Sequence, residues 1–449
     1  MSDGLPAPRR RAAVITIVIA VGMASLDTSI ANTALPSIAN DLQASPASSI
    51  WVVNAYQMAL VATLLPLGAL GEIVGFRRVY LAGLAIFTVA SLLCALAWSL
   101  PTITAARVLQ GLGAAGIMSV NTALIRFIYP ASQLGRGVGY NALVVACSTA
   151  LGPTVAALIL SVAPWPLLFA INLPAGLLAM ALAWRALPDT PRAARRFDFL
   201  GAALSATTFA ALIVAIGEAA HQATPLQTIA ALAVAIVAGT LLVRRQLGQT
   251  APLLPIDLYA RPLFALSSAT SVCSFTAQGL SFVSLPFLFQ TTLGHTPFET
   301  GILFTPWPVA TAIMAPIAGP LSDRYPPAIL GGVGLAILCF GLLLLATLPA
   351  DASQAGIMIR MLVCGAGFGF FQSPNLKAIM SAAPANRSGG ASGTIATSRL
   401  LGQSMGAALV ALCFGIVASP SQAPTLALTI AAVFAGSASL VSFSRLLAK

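Results

Sequence analysis

Charge is what this 449-residue chain has least of. Asp, Glu, Lys and Arg together make up 7% of it, against roughly 25% in an ordinary soluble domain. So few charges could not cover the surface of a soluble fold of this size. There are two lysines, Lys377 and Lys449, and neither sits in a G-x-x-x-x-G-K-[ST] frame. Without that phosphate-cradling loop, ATP hydrolysis on this chain is excluded. The two histidines, His221 and His295, are far apart and have no H-x-x-x-H partner, which argues against a zinc hydrolase. No metal or cofactor is expected. Cys94, Cys147, Cys273, Cys339, Cys364 and Cys413 all lie inside apolar stretches, and read as small buried side chains rather than disulfides or metal ligands. No paired carboxylates or nucleophile–base set supports an enzyme.

What the chain has instead is hydrophobicity: 58% apolar residues and a mean hydropathy of +0.93. This is the composition of an integral membrane protein. A crossing helix takes about 20 apolar residues. Apolar spans fall near 12–38, 49–70, 79–98, 102–128, 136–162, 166–185, 198–219, 226–243, 263–291, 300–320, 328–348, 355–381, 389–417 and 424–444. Arg9, Arg10 and Arg11 resemble the start of a signal peptide, but the run after them is too long and many spans follow, so the first helix is expected to be retained. Fourteen spans with both termini cytoplasmic place 19 of the 22 basic residues on the cytoplasmic side and none in a periplasmic loop. The other three, Arg107, Arg360 and Arg399, fall inside spans. That distribution follows the positive-inside rule, so the net charge of +11 marks a membrane face, with no nucleic acid implied. A twelve-span alternative would have to dismiss 198–219 and 226–243, both long enough to cross.

The chain also repeats itself. GALGEIVGFRRVYLAGLAI (68–86) aligns without gaps on GPLSDRYPPAILGGVGLAI (319–337), a shift of 251 that sets Gly68 on Gly319, Gly83 on Gly334 and Glu72 on Asp323. A second echo pairs Arg107 in ARVLQGLG with Arg360 in IRMLVCGAG. Two homologous six-helix halves account for this, spans 1–6 and 9–14 with spans 7 and 8 inserted. The implied units are 1–190, 191–262 and 263–449. Repeated halves related by an axis along the membrane normal are a transporter architecture with the substrate path between them.

Several motifs stand in order along the chain: LDTSIANTALP (26–36), WVVNAYQMALVATLLPLGALGEIVGFRR (51–78), ARVLQGLGAAG (106–116), ALGPTVAA (150–157), FAINLPAG (169–176), RFDFLG (196–201) and RSGGASGTIATSRLLGQSMGAAL (387–409). Together they resemble the major facilitator superfamily, and within it the fourteen-helix drug:proton antiporters. Two departures stand out. Glu72 replaces the usual Asp of the loop 2–3 motif and is followed by Ile73 where a basic residue is usual. In the fifth-helix motif, Ser148, Ala156 and Ala157 stand where Gly is usual, leaving Gly152-Pro153.

Asp27 is the only acid well inside a span, where an ionised carboxylate is costly and must protonate or find a partner. Counted from the span ends at 1.5 Å per residue, Asp27 lies about 22 Å from the cytoplasmic end and Arg107 about 8 Å below the periplasmic end. In a core about 30 Å thick these depths coincide. The resemblance implies that helices 1 and 4 face one cavity, so Asp27 and Arg107 form the candidate proton switch. A static ion pair, or an Asp27 bonded to Thr28 or Asn32 for packing, is the alternative. The resemblance further implies a gate latch: Glu72, near Arg77 and Arg78, facing Arg387 at the start of the thirteenth helix, and Asp323 facing Gly135 and Arg136. Gly152 and Pro153 would form the antiporter kink, as hinge or seal. Asn32, Tyr56, Gln57, Arg360 and Arg399 are candidate cavity residues, joined more weakly by Trp51, Phe275, Phe282, Phe287, Trp307 and Phe371. Glu218 and Glu299 read as exit-side surface.

The function so implied is a proton-driven exporter of amphipathic small molecules across the cytoplasmic membrane, working as a monomer with small-molecule substrate, protons and the lipid bilayer as partners. An exporter specific for one metabolite or natural product is the alternative.

Overall fold

Hydrocarbon offers backbone N–H and C=O groups no partner, so each apolar span must satisfy them within itself and closes into a helix. In the computed structural model, which describes all residues except 1–3, 131–132, 194–196, 221–224, 248–255, 350, 384–387, 418, 420 and 447–449, the described residues form helices and loops only. Fourteen of these helices are long and apolar enough to cross a membrane. They are α1 (Ala7–Asp41), α2 (Pro46–Val74), α3 (Phe76–Ala95), α4 (Leu100–Ile128), α5 (Leu134–Val162), α6 (Leu167–Ala186), α7 (Phe199–Ala220), α8 (Pro225–Gln246), α9 (Pro262–Thr292), α10 (Pro297–Arg324), α11 (Pro327–Ala346), α12 (Gln354–Ala382), α13 (Ser388–Ile416) and α14 (Ala423–Ser444). Most begin with Ser, Thr or Pro at the entry, and α4 and α10 open on capping boxes, Ser99 with Thr102 and Thr296 with Glu299. These side chains occupy N–H groups that the first turn leaves unpaired. Pro286 breaks the bonding ladder of α9, and its last five residues, Leu288–Thr292, widen into a π-turn, a common response to a missing donor.

The helices pair twice in the same pattern. In the first half α1 packs on α5 and α6, α2 on α4, and α3 on α4 and α6. In the second, α9 packs on α13 and α14, α10 on α12, and α11 on α12 and α14. The inserted helices α7 and α8 pack on each other, and α7 also touches α2 and α13, one helix of each half. Residues such as Leu226, Ile229, Ile236 and Val237 of α8 are largely exposed, as lipid-facing residues are.

Glycines set the register within each half. A Cβ added at Gly111 of α4 would lie 2.2 Å from the Tyr56 carbonyl oxygen of α2, and one at Gly365 of α12 would lie 2.1 Å from the Trp307 carbonyl oxygen of α10. One at Gly113 would meet Phe87 N at 2.4 Å, and one at Gly367 would meet Leu338 N at 2.4 Å. Tyr56 to Trp307 and Phe87 to Leu338 are both shifts of 251, but Gly111 to Gly365 and Gly113 to Gly367 are shifts of 254. The second half therefore carries three extra residues before these contacts. By packing, Arg107 corresponds to Met361 and not, as the sequence echo has it, to Arg360. The echo matched residue type; the helix contact decides position.

The two halves meet at the end of the bundle opposite the chain termini. There Thr154 of α5 and Thr305 of α10 share a 3.0 Å hydroxyl hydrogen bond, and Gln290 of α9 donates to the Thr33 carbonyl of α1 at 3.3 Å. Near the terminal end, Gly319 of α10 and Gly393 of α13 have open space where a Cβ would stand. The structure thus joins the two halves by hydrogen bonds at the far end, while these two glycines of the second half face open space near the terminal end.

Candidate functional site: a buried ion pair between α1, α4 and α6

Asp27 is 2% exposed and Arg107 is fully buried. Their side chains form an ion pair through Arg107 Nη1 and Asp27 Oδ2. The other carboxylate oxygen accepts from Gln110 Nε2 at 2.9 Å and from Asn172 Nδ2 at 3.0 Å. Three donors converge on the carboxylate, the pattern that an acceptor-only ionised group requires. Arg107 is held in turn: its Nε donates to the Val52 carbonyl at 2.9 Å, and its Nη1 also donates to Gln110 Oε1 at 2.6 Å. The guanidinium carbon lies 4.2 Å from the Tyr56 ring centroid and 5.5 Å from that of Phe169, within cation–π range. Gln110 donates onward to Ser91 Oγ at 2.8 Å, which brings α3 into the network. Five helices of the first half, α1, α2, α3, α4 and α6, are therefore tied into one network around this carboxylate. A buried pair of this kind is poor evidence for stability, but removing one partner leaves the other charge stranded.

The alternative in which Asp27 is held by Thr28 or Asn32 does not match these contacts. Thr28 donates to the Ala24 carbonyl, and Asn32 Oδ1 is buried without a partner. Gln110, Asn172, Ser91 and Phe169 were not singled out from the sequence. Gln110 had a legible signal, since it stands three residues after Arg107 and so on the same helix face. Asn172 had a weaker one, an amide at the start of an apolar span.

The remaining candidates are placed as follows. Tyr56 is buried; its hydroxyl donates to the Ala24 carbonyl at 3.2 Å and its ring cages Arg107. Gln57 and Asn54 of α2 are buried with unpartnered amide atoms. Arg360 is half-buried and donates to the carbonyl of Gly356 on its own helix at 2.9 Å. Arg399 of α13 is half-buried. Phe275, Phe282, Phe287, Trp307 and Phe371 are all buried in an apolar core that runs across both halves.

At the terminal end, Glu72 is exposed and its carbonyl accepts from Ala193 N at 2.7 Å. Arg77 pairs with Asp189 at 3.0 Å and donates to the Trp184 carbonyl, and Phe76 N donates to Thr190 Oγ1 at 3.0 Å. The α2–α3 loop is thus bound to the segment after α6, inside its own half, and Arg77 does not reach α13. Arg78 is exposed, and Arg387 lies outside the described residues. Asp323 differs from expectation: it pairs with Lys377 of α12 at 2.5 Å, within its own half, rather than with the start of α5. Lys377 also donates to the Ser322 carbonyl at 2.7 Å. An ammonium on a neighbouring helix of the same half holds the carboxylate.

Gly152 and Pro153 sit where α5 is squeezed from two sides. A Cβ at Gly152 would come within 2.3 Å of Ser29 Cβ on α1, and Ser29 Oγ donates to the Thr149 carbonyl at 3.0 Å. On the other side, a Cβ at Gly301 of α10 would come within 2.5 Å of Ala157 Cβ and 2.8 Å of the Pro153 carbonyl oxygen. Ala157 stands where Gly is usual, and close approach is kept because the glycine is on the opposing helix. Glu299 bonds back to Thr296 and receives Gln354 Nε2 at 3.3 Å. The Glu218 side chain is outside what the structure describes.

The sequence matches the family model of the Major Facilitator Superfamily over residues 17–407. Among curated proteins it is 55% identical to the uncharacterized transporter YebQ of Escherichia coli (strain K12), over 92% of this chain and 90% of that protein. It is 30% identical to the riboflavin transporter RibZ of Clostridioides difficile (strain 630), over 89% and 88%. It is 32% identical to the multidrug efflux pump LfrA of Mycolicibacterium smegmatis, over 92% and 83%. Among solved structures, a bacterial homolog of the human lysosomal transporter Spinster, in an inward-facing and unoccupied conformation, superposes with a TM-score of 0.72 at 14% identity, covering 98% of this chain and 97% of that one. The peptide-transporter-family protein PepTSo superposes at 0.71 with 15% identity, covering 98% of each.

Proposed function

Starting from the fact that this chain belongs to the Major Facilitator Superfamily, and is a transporter rather than an enzyme, we propose that it is a proton-coupled antiporter. It exports amphipathic small molecules across the cytoplasmic membrane by alternating access. The observation that carries this reading is the Asp27–Arg107 pair, a titratable carboxylate buried mid-bundle inside the first half. Protonating Asp27 removes its charge and with it the hold on Arg107, Gln110 and Asn172. Six residues along α1, Thr33 receives the far-end bond from Gln290, so loosening α1 from α4 and α6 acts on the seal between the halves. The terminal end, which carries the arginines, faces the cytoplasm under the positive-inside rule. In this reading the units 1–190, 191–262 and 263–449 are two moving halves and a lateral pair, sufficient as a monomer.

In proteoliposomes with an imposed pH gradient, Asp27→Asn is expected to abolish gradient-driven efflux while the protein still inserts and folds. Full gradient-driven transport by this variant would show that the proton travels elsewhere. Glu72, Arg78 and Arg387 are assigned to a latch that forms when the terminal end closes. Glu72→Gln should slow transport and leave equilibrium binding of substrate unchanged, since the contact belongs to one conformer only. Loss of binding with normal cycling would refute the assignment. The narrower alternative, one metabolite or natural product as substrate, draws support from relatives named for single compounds, the riboflavin transporter and the tetracenomycin C resistance and export protein.

A further inference from the structure

Three arginines, Arg107, Arg360 and Arg399, lie well inside the spans and a fourth, Arg445, is buried at the end of α14; three of these four are accounted for by protein partners. Arg107 is paired with Asp27. Arg360 bonds its own helix through Gly356. Arg445, whose guanidinium burial pulls down to about 10, donates to Asn375 Oδ1 at 2.8 Å and to Ser267 Oγ at 3.0 Å. Arg399 has neither a hydrogen bond nor an ion pair among the described residues, and it is only half-buried. It stands eleven residues into the 29-residue helix α13, about 16 Å from the terminal-end start. In a core about 30 Å thick that is mid-membrane, too deep for the side chain to snorkel to the surface. The helices α9, α12, α13 and α14 contain no Asp or Glu, so the second half holds no buried counter-charge for it.

The helix wheel says where it points. Gly402 and Gly406 lie about 60° and 20° to one side of Arg399 at 3.6 residues per turn. They pack against α9, where a Cβ on either would lie 2.6 Å from a carbonyl oxygen, that of Val272 or Thr276. Ala396 and Leu400 lie about 60° and 100° to the other side, and they join an apolar cluster whose other members all fall within residues 5–209. Arg399 therefore projects between α9 and the face that α13 turns to α2 and α7. Gln403, on the same face, donates to Gln278 of α9 at 3.1 Å. The first-half helix that α13 touches, α2, carries Asn54 and Gln57 with buried amide atoms that no protein group pairs.

Resting on the exporter reading, we infer that Arg399 is an oxyanion site: it receives the carboxylate or phosphate of the transported molecule, and the substrates of this chain are amphipathic organic anions. Asp27 is already neutralised by Arg107, and Arg399 is left as a positive charge with neither an acid nor a hydrogen-bond acceptor among the described residues. A guanidinium suits an oxyanion because its donors match two oxygens at once. Proton and substrate are then held in opposite halves, Asp27 in the first and Arg399 in the second.

The test measures equilibrium binding to the full chain in lipid nanodiscs, with a series of arylalkyl carboxylates and the primary amides of the same skeletons as probes. Carboxylates should bind about tenfold or more tightly than their amides, the increment of a charge-assisted hydrogen bond. Arg399→Gln should erase that preference, Arg399→Lys should keep part of it, and Arg244→Gln, on the exposed end of α8, should leave it intact. Equal affinity for acid and amide in the wild-type protein, binding by none of the acids, or a preference that survives Arg399→Gln would each overturn the inference. If Arg399→Gln does not fold, the wild-type comparison and the lysine variant decide. Binding needs no proton gradient, so a protein that prefers carboxylates but ignores an imposed pH gradient would sink the antiport reading alone.

Discussion

The first half of this protein is built around a charge and the second around aromatic rings, although the two share one scaffold. Asp27 and Arg107 hold α1 against α4 in the first half. In the second, the glycine contacts put Met361 where Arg107 would be, and the shift of 251 puts Gln278 where Asp27 would be. Around them Phe282 meets Phe304 and Trp307 edge-on, with ring centroids 5.5 and 5.3 Å apart, and Phe275 meets Phe368 at 5.5 Å. Tyr56, which cages Arg107, is matched by Trp307, which has no cation over it among the described residues and joins the ring cluster. The helix contacts that repeat are backbone against glycine, and these leave the side chains one turn away free to differ. A duplicated scaffold can thus carry a titratable switch in one half and a rigid apolar wall in the other.

The comparison is broken most severely at its charged side. Asp27→Asn should abolish proton-driven efflux in proteoliposomes, whereas Gln278→Leu at the matching position should leave proton dependence in place. Equal losses from both would deny that the halves differ in function. Arg107→Met, which writes the residue of the second half into the first, strands the Asp27 carboxylate. It should also lose coupling, and the double variant with Asp27→Asn should transport little worse than either single one, since two members of one pair are not additive. An additive loss would mean that the two residues act separately.

The aromatic side should respond in stability instead. Phe282→Ala removes a buried ring from between two others and should cost about 3–5 kcal/mol of stability, read as earlier unfolding in a thermal melt. The proton dependence of whatever transport remains should be unchanged. A shift in that dependence would show that the ring cluster belongs to the switch.

Much of this was present in the order of residues alone. Each span's fate follows from local thermodynamics, because about 20 apolar residues without charge can be satisfied only as a helix in lipid. Hence fourteen spans, the basic face and the duplicated halves were legible, as were Asp27 and Arg107, the acid and the arginine buried deep enough to need each other. Side-by-side register was not. It depends on which glycine receives which backbone carbonyl, so Arg360 looked like the mate of Arg107 while Gly365 against Trp307 makes it Met361. The capture of Asp323 by Lys377, the binding of the α2–α3 loop by Asp189 and Thr190, and the arrival of Asn172 at the carboxylate are likewise encounters between residues far apart in the chain. Hydropathy decides what enters the membrane one segment at a time; close packing between segments, which only the assembled bundle has, decides which side chains meet.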